Sequence, residues 1–175
     1  MGGQTLHPYG RKILDTGGSS SGSGVSTTSN LAAASLGTET SGSILSPSSA
    51  NSLVGMKPTI GNISRAGIIP ISSTLDTAGP MTKFVLDNIL IYNAINDFDP
   101  LDEYSVENYD IRIEEVVDNE LNEYTIGYYK SFYERDSLYK NAIDFLIEEG
   151  IKLQVIDAPQ ILSLIHISEP TRRYR

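Results

Sequence analysis

The residue types that could do chemistry in this chain are few and concentrated. Residues 16–56 hold one charged side chain, Glu39, in forty-one positions, and are dense in serine and glycine. There is no cysteine, which excludes disulfides and thiolate metal sites. Two histidines, His7 and His166, speak against a His-based metal site or triad. Hydroxyls and backbone amides are left as the working groups. Read alone, residues 16–24 (TGGSSSGSG) have the composition of a flexible linker. The residues after them argue for an organised element. Residues 25–35 (VSTTSNLAAAS) contain neither Gly nor Pro and predict a helix whose thin side chains allow close packing. Residues 36–39 then predict a short buried strand, with Gly42 supplying a turn. A Gly-rich loop feeding a helix N-terminus presents unpaired N–H groups, which favour negative charge. No Gly-Lys-Ser/Thr comes after it, so this is not a phosphate loop of the usual kind.

The elements that must position these groups are short. Pro47, Pro58, Pro70 and Pro80 break residues 44–80 into pieces. Residues 53–56 predict a buried strand, residues 68–71 (IIPI) an apolar stretch near the core, and residues 81–95 an amphipathic helix carrying Phe84, Leu86, Ile89, Leu90, Tyr92 and Ala94. After a polar, acidic connector at 96–122, residues 124–129 (YTIGYY) alternate as a strand. Residues 136–149 predict a helix with apolar Leu138, Ala142, Phe145 and Leu146 and a stop at Gly150. Residues 151–156 (IKLQVI) predict the next strand. Strand, helix, strand implies two parallel strands in one sheet.

Charge narrows the function classes. The formal net charge is −9, and residues 97–160 alone carry seventeen Asp and Glu against five Lys and Arg. Bulk charge of this sign opposes a nucleic-acid grip, which needs clustered Lys and Arg. The acidic surplus predicts a solvated surface, since its carboxylates do not recur at calcium-loop spacing. No apolar run approaches the ~18 residues of a membrane span. The absence of cysteine and of a visible signal segment points to the cytoplasm.

Five motifs occur in order: Gly17-Gly18-Ser19-Ser20-Ser21-Gly22-Ser23-Gly24; Leu36-Gly37-Thr38-Glu39-Thr40-Ser41-Gly42-Ser43-Ile44-Leu45-Ser46-Pro47; Val54-Gly55-Met56-Lys57-Pro58-Thr59; Ser64-Arg65-Ala66-Gly67-Ile68-Ile69-Pro70; and Asp76-Thr77-Ala78-Gly79-Pro80-Met81. Together they resemble the amidase signature family. The resemblance covers residues 1–95 as a partial signature core, with 96–161 as acidic connector plus strand–helix–strand of the same domain. It implies an α/β fold, a mixed sheet flanked by helices and incomplete at both ends. The implied reaction is hydrolysis of a carboxamide through a serine acyl-enzyme, on a small-molecule amide, with no metal or organic cofactor. By motif, Ser43 is the nucleophile, Ser19 the bridging serine after a cis Gly18–Ser19 bond, and the backbone N–H groups of Thr40, Ser41, Gly42 and Ser43 the oxyanion hole. Glu39 is expected to organise the loop. Arg65 is expected to be structural, pairing with Glu39 or Asp76, and Lys57 structural. Ser20, Ser21, Ser23, Ser46, Ser48 and Ser49 are expected to satisfy turn backbone.

The chemistry implied is physically coherent. An alcohol is a poor nucleophile near neutral pH and needs a base. With no suitable histidine, a desolvated neutral lysine relaying through a second hydroxyl can serve. In the family that lysine lies several tens of residues before the bridging serine, and only eighteen residues precede Ser19. The expectation is therefore a truncated chain, catalytically silent by itself. Leu162 to Arg172 resemble the translation of a transposase sequencing adaptor, so 162–175 are read as a non-native tail. The leading reading is a fragment of a stand-alone amidase acting on a small carboxamide or peptide-amide. The alternative is the A subunit of glutamyl-tRNA amidotransferase, which usually carries Arg-Gln-Pro after the nucleophile's Ser-Ile where this chain has Leu45-Ser46-Pro47. A non-catalytic fragment is the third reading.

Overall fold

The computed structural model describes residues 3–117 and 124–156. The proposed tail at 162–175 and the end of the acidic connector lie outside the described residues. The chain divides into two compact units, Met1–Ile113 and Glu114–Arg175.

The first unit carries α1 (Ser21–Thr28), β1 (Ser35–Glu39), α2 (Leu45–Ala50), β2 (Val54–Gly55), β3 (Thr77–Thr82) and α3 (Val85–Asn93). Its sheet has the order β1-β3-β2 with both pairs antiparallel, Glu39 opposite Thr77 and Val54 opposite Thr82. Every residue of the central strand β3 is buried. This strand contains Gly79-Pro80, which reads as turn punctuation, because proline cannot donate to a ladder. The structure puts Pro80 to use as an acceptor: its carbonyl takes Met56 N at 3.1 Å and Asn88 Nδ2 at 3.2 Å.

Two helices differ from expectation. The helix predicted over 25–35 starts four residues earlier and stops at Thr28. Asn30 ends it by taking φ 60, with Leu31 N donating to Ser26 O at 2.9 Å and Asn30 N to Thr27 O at 3.2 Å. That is a Schellman stop with Asn in the left-handed position. The helix predicted over 81–95 is α3, beginning at Val85, because Met81 and Thr82 complete β3. Its inward face is Asn88, Ile89 and Tyr92, while Phe84, Leu86 and Leu90 are exposed. Residues 68–71 are only partly near the core: Ile68 packs against it, but Ile69 and Ile71 are 90% and 81% exposed.

The core of this unit is Ile63, Ala78 and Tyr92, flanked by Met56, Ile68, Ile95 and Ile111. The Tyr92 hydroxyl accepts from Asn62 Nδ2 (3.0 Å) and Asn108 Nδ2 (2.5 Å). Asn88 is fully buried and donates to Val54 O and Thr82 Oγ1, tying α3 to β2 and β3.

A short helix, α4 (Ile113–Val117), begins where the units divide. The second unit then runs β4 (Thr125–Tyr129), α5 (Lys130–Arg135), α6 (Ser137–Glu148) and β5 (Lys152–Ile156), with β4 and β5 parallel, as the strand–helix–strand pattern implies. The buried residue of α6 is Ile143; Leu138 and Phe145, expected on the apolar face, are exposed.

Candidate active site

The site is built on two turns that the first unit presses together. Gly17 has φ +63, and a Cβ there would sit 2.7 Å from the backbone of Pro47. Only glycine lets the loop before Ser19 lie this close to α2. Asn51 Nδ2 holds the same junction by donating to Thr16 O (2.9 Å) and Pro47 O (2.8 Å). The Gly18–Ser19 peptide is cis. The next residue, Ser20, donates its N–H to Ser43 O at 3.1 Å, and its hydroxyl donates to Thr38 O (3.2 Å) and accepts from Thr38 N (3.1 Å). Ser20 therefore staples the Ser19 loop to both β1 and the turn that carries Ser43.

That second turn, residues 40–43, joins β1 to α2 and contains Gly42 at φ +83. Two buried carboxylates hold its ends. Glu39 accepts from Ile44 N (2.7 Å) and Leu45 N (2.9 Å), the loop-organising role expected of it. Asp76 accepts from the Thr40 hydroxyl at 2.5 Å, and from Ile71 N (2.7 Å) and Ser72 N (2.8 Å). Burial raises the Asp76 pKa, but the Thr40 hydroxyl, the Ile71 and Ser72 amides and the charge of Arg65 outweigh it and hold the group below the ordinary carboxylate value. Between these anchors, among the described residues, the amides of Ser41, Gly42 and Ser43 have no protein acceptor.

Ser19, Thr40 and Ser43 line one cavity of about 30 Å³, with Glu39, Asp76 and Ile71 also on its wall. Its volume suits an oxygen-sized group or a water. Ser19 is exposed and Ser43 half-buried. Ser41 and Gly42, on the same turn, are not among the residues lining the cavity. A larger pocket of about 400 Å³ shares Arg65, Ile68 and Asp76 with the small cavity.

Arg65 pairs with neither carboxylate expected. Its partner is Asp102: Nε to Oδ2 and Nη2 to Oδ1, both 3.0 Å, with the Arg65 N–H also on Oδ2 at 2.9 Å. Nη1 donates to Ser73 O, and the guanidinium lies 4.4 Å from the centre of the Tyr104 ring. The Arg65 bonds drive the Asp102 carboxyl far below the ordinary range, and Asp102 in turn raises Arg65. Asp102 stands in a connector whose composition predicts a solvated acidic surface, and nothing in its sequence context separates it from Asp97 or Glu103. Asp76 opens the fifth motif, which by itself gives it no role. The signal available was its place directly before β3.

Ser19 and Ser43 thus share one small cavity, and the turn that carries Ser43 has amides without a protein acceptor among the described residues. The family model described as Amidase matches residues 1–171, and the chain belongs to the amidase family. It is 58% identical over 86 residues to the probable amidase At4g34880 of Arabidopsis thaliana, covering 49% of this chain and 17% of the relative. It is 37% identical over 177 residues to the glutamyl-tRNA(Gln) amidotransferase A subunit of Aliarcobacter butzleri, covering 94% of this chain and 38% of the relative. It superposes on the native peptide amidase of Stenotrophomonas maltophilia with a TM-score of 0.79 at 36% identity, covering 90% of this chain and 34% of that one. The chain thus spans well under half the length of the curated relatives it matches.

Among the described residues no helix is long and apolar enough to cross a membrane. No group of three His, Cys, Asp or Glu gathers there at metal-binding distance.

Proposed function

We propose that this chain carries the nucleophile turn of a carboxamide hydrolase. Ser43 Oγ attacks the amide carbon, and its proton passes to Ser19 and on to a base. The carbonyl oxygen becomes an oxyanion held by N–H groups of the turn formed by Thr40, Ser41, Gly42 and Ser43. Donors of this kind contribute roughly 3–4 kcal/mol each in comparable sites. The C–N bond then breaks, the amine leaves with a proton, and water hydrolyses the Ser43 ester to release the carboxylic acid. The observation that carries this reading is the shared cavity of Ser19 and Ser43 on a turn whose Ser41, Gly42 and Ser43 amides have no acceptor among the described residues.

No lysine is among the residues lining that cavity. The test uses the protein translated from the complete reading frame around these residues. It should hydrolyse a simple aryl amide, and Ser43→Ala should lower kcat by roughly 10⁴-fold or more. Hydrolysis surviving at the parent rate in that variant would overturn the assignment.

The substrate reading is a stand-alone amidase acting on a small carboxamide or peptide-amide. It rests on Leu45-Ser46-Pro47 standing where a transamidating subunit usually carries Arg-Gln-Pro. The second reading, ammonia release from glutamine, is favoured by the alignment to the Aliarcobacter relative over 94% of the chain. Glutaminase activity that appears only with partner subunits and charged tRNA would select it.

A further inference from the structure

Asp76 is a buried carboxylate to which the acyl-transfer scheme gives no task, and it touches both sides of the small cavity. One oxygen, Oδ1, accepts from the Thr40 hydroxyl, the entry point of the turn that carries Gly42 and Ser43. The other, Oδ2, accepts from the Ile71 and Ser72 amides, so residues 71–72 and the turn share one anion. Thr40, Ile71 and Asp76 all line the cavity with Ser19 and Ser43. Glu39 fixes the far end of the same turn through Ile44 and Leu45. Asp76 holds Thr40 itself, beside the ladder pairing of Glu39 with Thr77 just before it and the Ser20 N–H bond to Ser43 O just after it.

We propose that Asp76, acting through the Thr40 hydroxyl, is a positioning residue that sets where the unspent amides of the 40–43 turn point and how wide the cavity is. The inference rests on the acyl-transfer reading of this site. An oxyanion hole works because its donors are already aimed before charge develops, so a turn held at both ends stabilises the transition state more than the bound substrate. The loss expected on cutting the clamp is therefore in kcat rather than KM. Asp76 accepts from all three partners, and the Ile71 and Ser72 amides can only donate. Asparagine can keep the 71–72 amides on its carbonyl oxygen and turn its NH₂ toward Thr40 Oγ1, which reverses that bond and removes the anion.

The experiment uses the protein from the complete reading frame with three variants: Thr40→Val, Thr40→Ser and Asp76→Asn. Thr40→Val keeps the shape of the side chain and removes its donor. It should lower kcat for an aryl amide about 10- to 100-fold with KM within twofold. Thr40→Ser should restore kcat to within about threefold of the parent. Asp76→Asn, which can keep a bond to Thr40 Oγ1 with its direction reversed, should lower kcat less than Thr40→Val. In parallel, the ¹⁵N order parameter of the Gly42 amide should fall in Thr40→Val from about 0.85 toward 0.6 or below, and recover in Thr40→Ser. Unchanged kcat and unchanged Gly42 order in Thr40→Val would overturn the clamp. If Ser43→Ala keeps the parent rate, the acyl-transfer reading falls. The Gly42 order parameter still decides the clamp in that case, because a drop supports it and no change refutes it.

Discussion

Residues 16–56 and residues 124–156 are held together by different physics. In the first stretch, α1 is built from SGSGVSTT, a composition with poor helix propensity, and no side chain caps its N-terminus. Contacts from elsewhere in the sequence keep it helical. Ser23 Oγ donates to Leu36 O (2.8 Å), Ser35 Oγ to Ser23 O (2.9 Å) and Thr27 Oγ1 to Ser35 Oγ (2.8 Å). In the second stretch, α6 carries its own start and stop. Asp136 accepts from Leu138 N and Tyr139 N, and Gly150 takes φ +76 at the end, with Ile151 N bonded to Leu146 O at 3.0 Å. The serine-bearing stretch thus depends on a few polar bonds between elements, and α6 depends on local signals. Damage should be large and bond-specific in the first case, modest and local in the second.

The largest expected effect comes from a remote bond in the unit that holds residues 16–56, though outside that stretch. Asp102 and Arg65 are 37 residues apart, with side chains only 5% and 12% exposed. Removing one partner leaves a buried charge without its mate, a loss of about 3–5 kcal/mol. Asp102→Ala should therefore lower the urea midpoint severely. The pair also sets a pH dependence. The folded Asp102 pKa lies below its unfolded value, so its stabilisation is complete above the ordinary Asp value of about 4 and fades as pH falls through the depressed folded value. The parent should lose urea stability between about pH 5 and pH 2, and Asp102→Asn should lose less over the same interval. Equal slopes in the two proteins would show that the pair does not govern this region.

Glu39 comes next. It is 3% exposed and takes two backbone amides at the start of α2. Glu39→Ala strands both N–H groups, at a cost of about 1–3 kcal/mol. Glu39→Gln keeps one acceptor oxygen and should recover part of it. Urea denaturation of the two variants measures the difference. Gly42→Ala should cost about 1–2 kcal/mol, because φ +83 brings a Cβ against the following carbonyl even though space around it is open. The two substitutions act on one turn, so their double variant should fall short of the sum.

The same contrast explains what the sequence made legible. The β4–α6–β5 pattern follows from alternation, the spacing of apolar residues and a C-terminal glycine, all read within a few residues. The order of motifs names Ser19 and Ser43, which line one small cavity. The features that could not be read are those settled by distant partners. Strand β3 hides behind Gly79-Pro80, because nothing local says that Pro80 will serve as an acceptor for Met56 and Asn88. The end of α1 hides in Asn30, whose left-handed backbone is one of several conformations open to asparagine. The early start of α1 hides in Gly22 and Gly24, which read as flexibility. At Gly24 the missing side chain serves close approach, since a Cβ there would come within 3.2–3.4 Å of Asn51, Pro47 and Met81. Asp102 is indistinguishable by type and spacing from its acidic neighbours, and only the fold brings Arg65 to it.

The smallest effect tests the local side of the contrast. Asp136 precedes α6, and its Oδ1 accepts from Leu138 N at 2.9 Å and Tyr139 N at 3.0 Å, two of the donors a helix start leaves unpaired. Asp136→Ala should cost about 1 kcal/mol, the typical value of an N-cap. Asp136→Asn keeps the acceptor oxygen and should recover most of that, which separates the hydrogen bond from the favourable charge at the helix start. Amide exchange at Leu138 and Tyr139 should quicken in the alanine variant while exchange toward the C-terminal end of α6, where Gly150 and Ile151 close the last turn, changes little. Equal quickening along the whole of α6 would mean that the helix is held as one cooperative piece by what packs on Ile143. In that event this stretch, like residues 16–56, would owe its order to remote contacts.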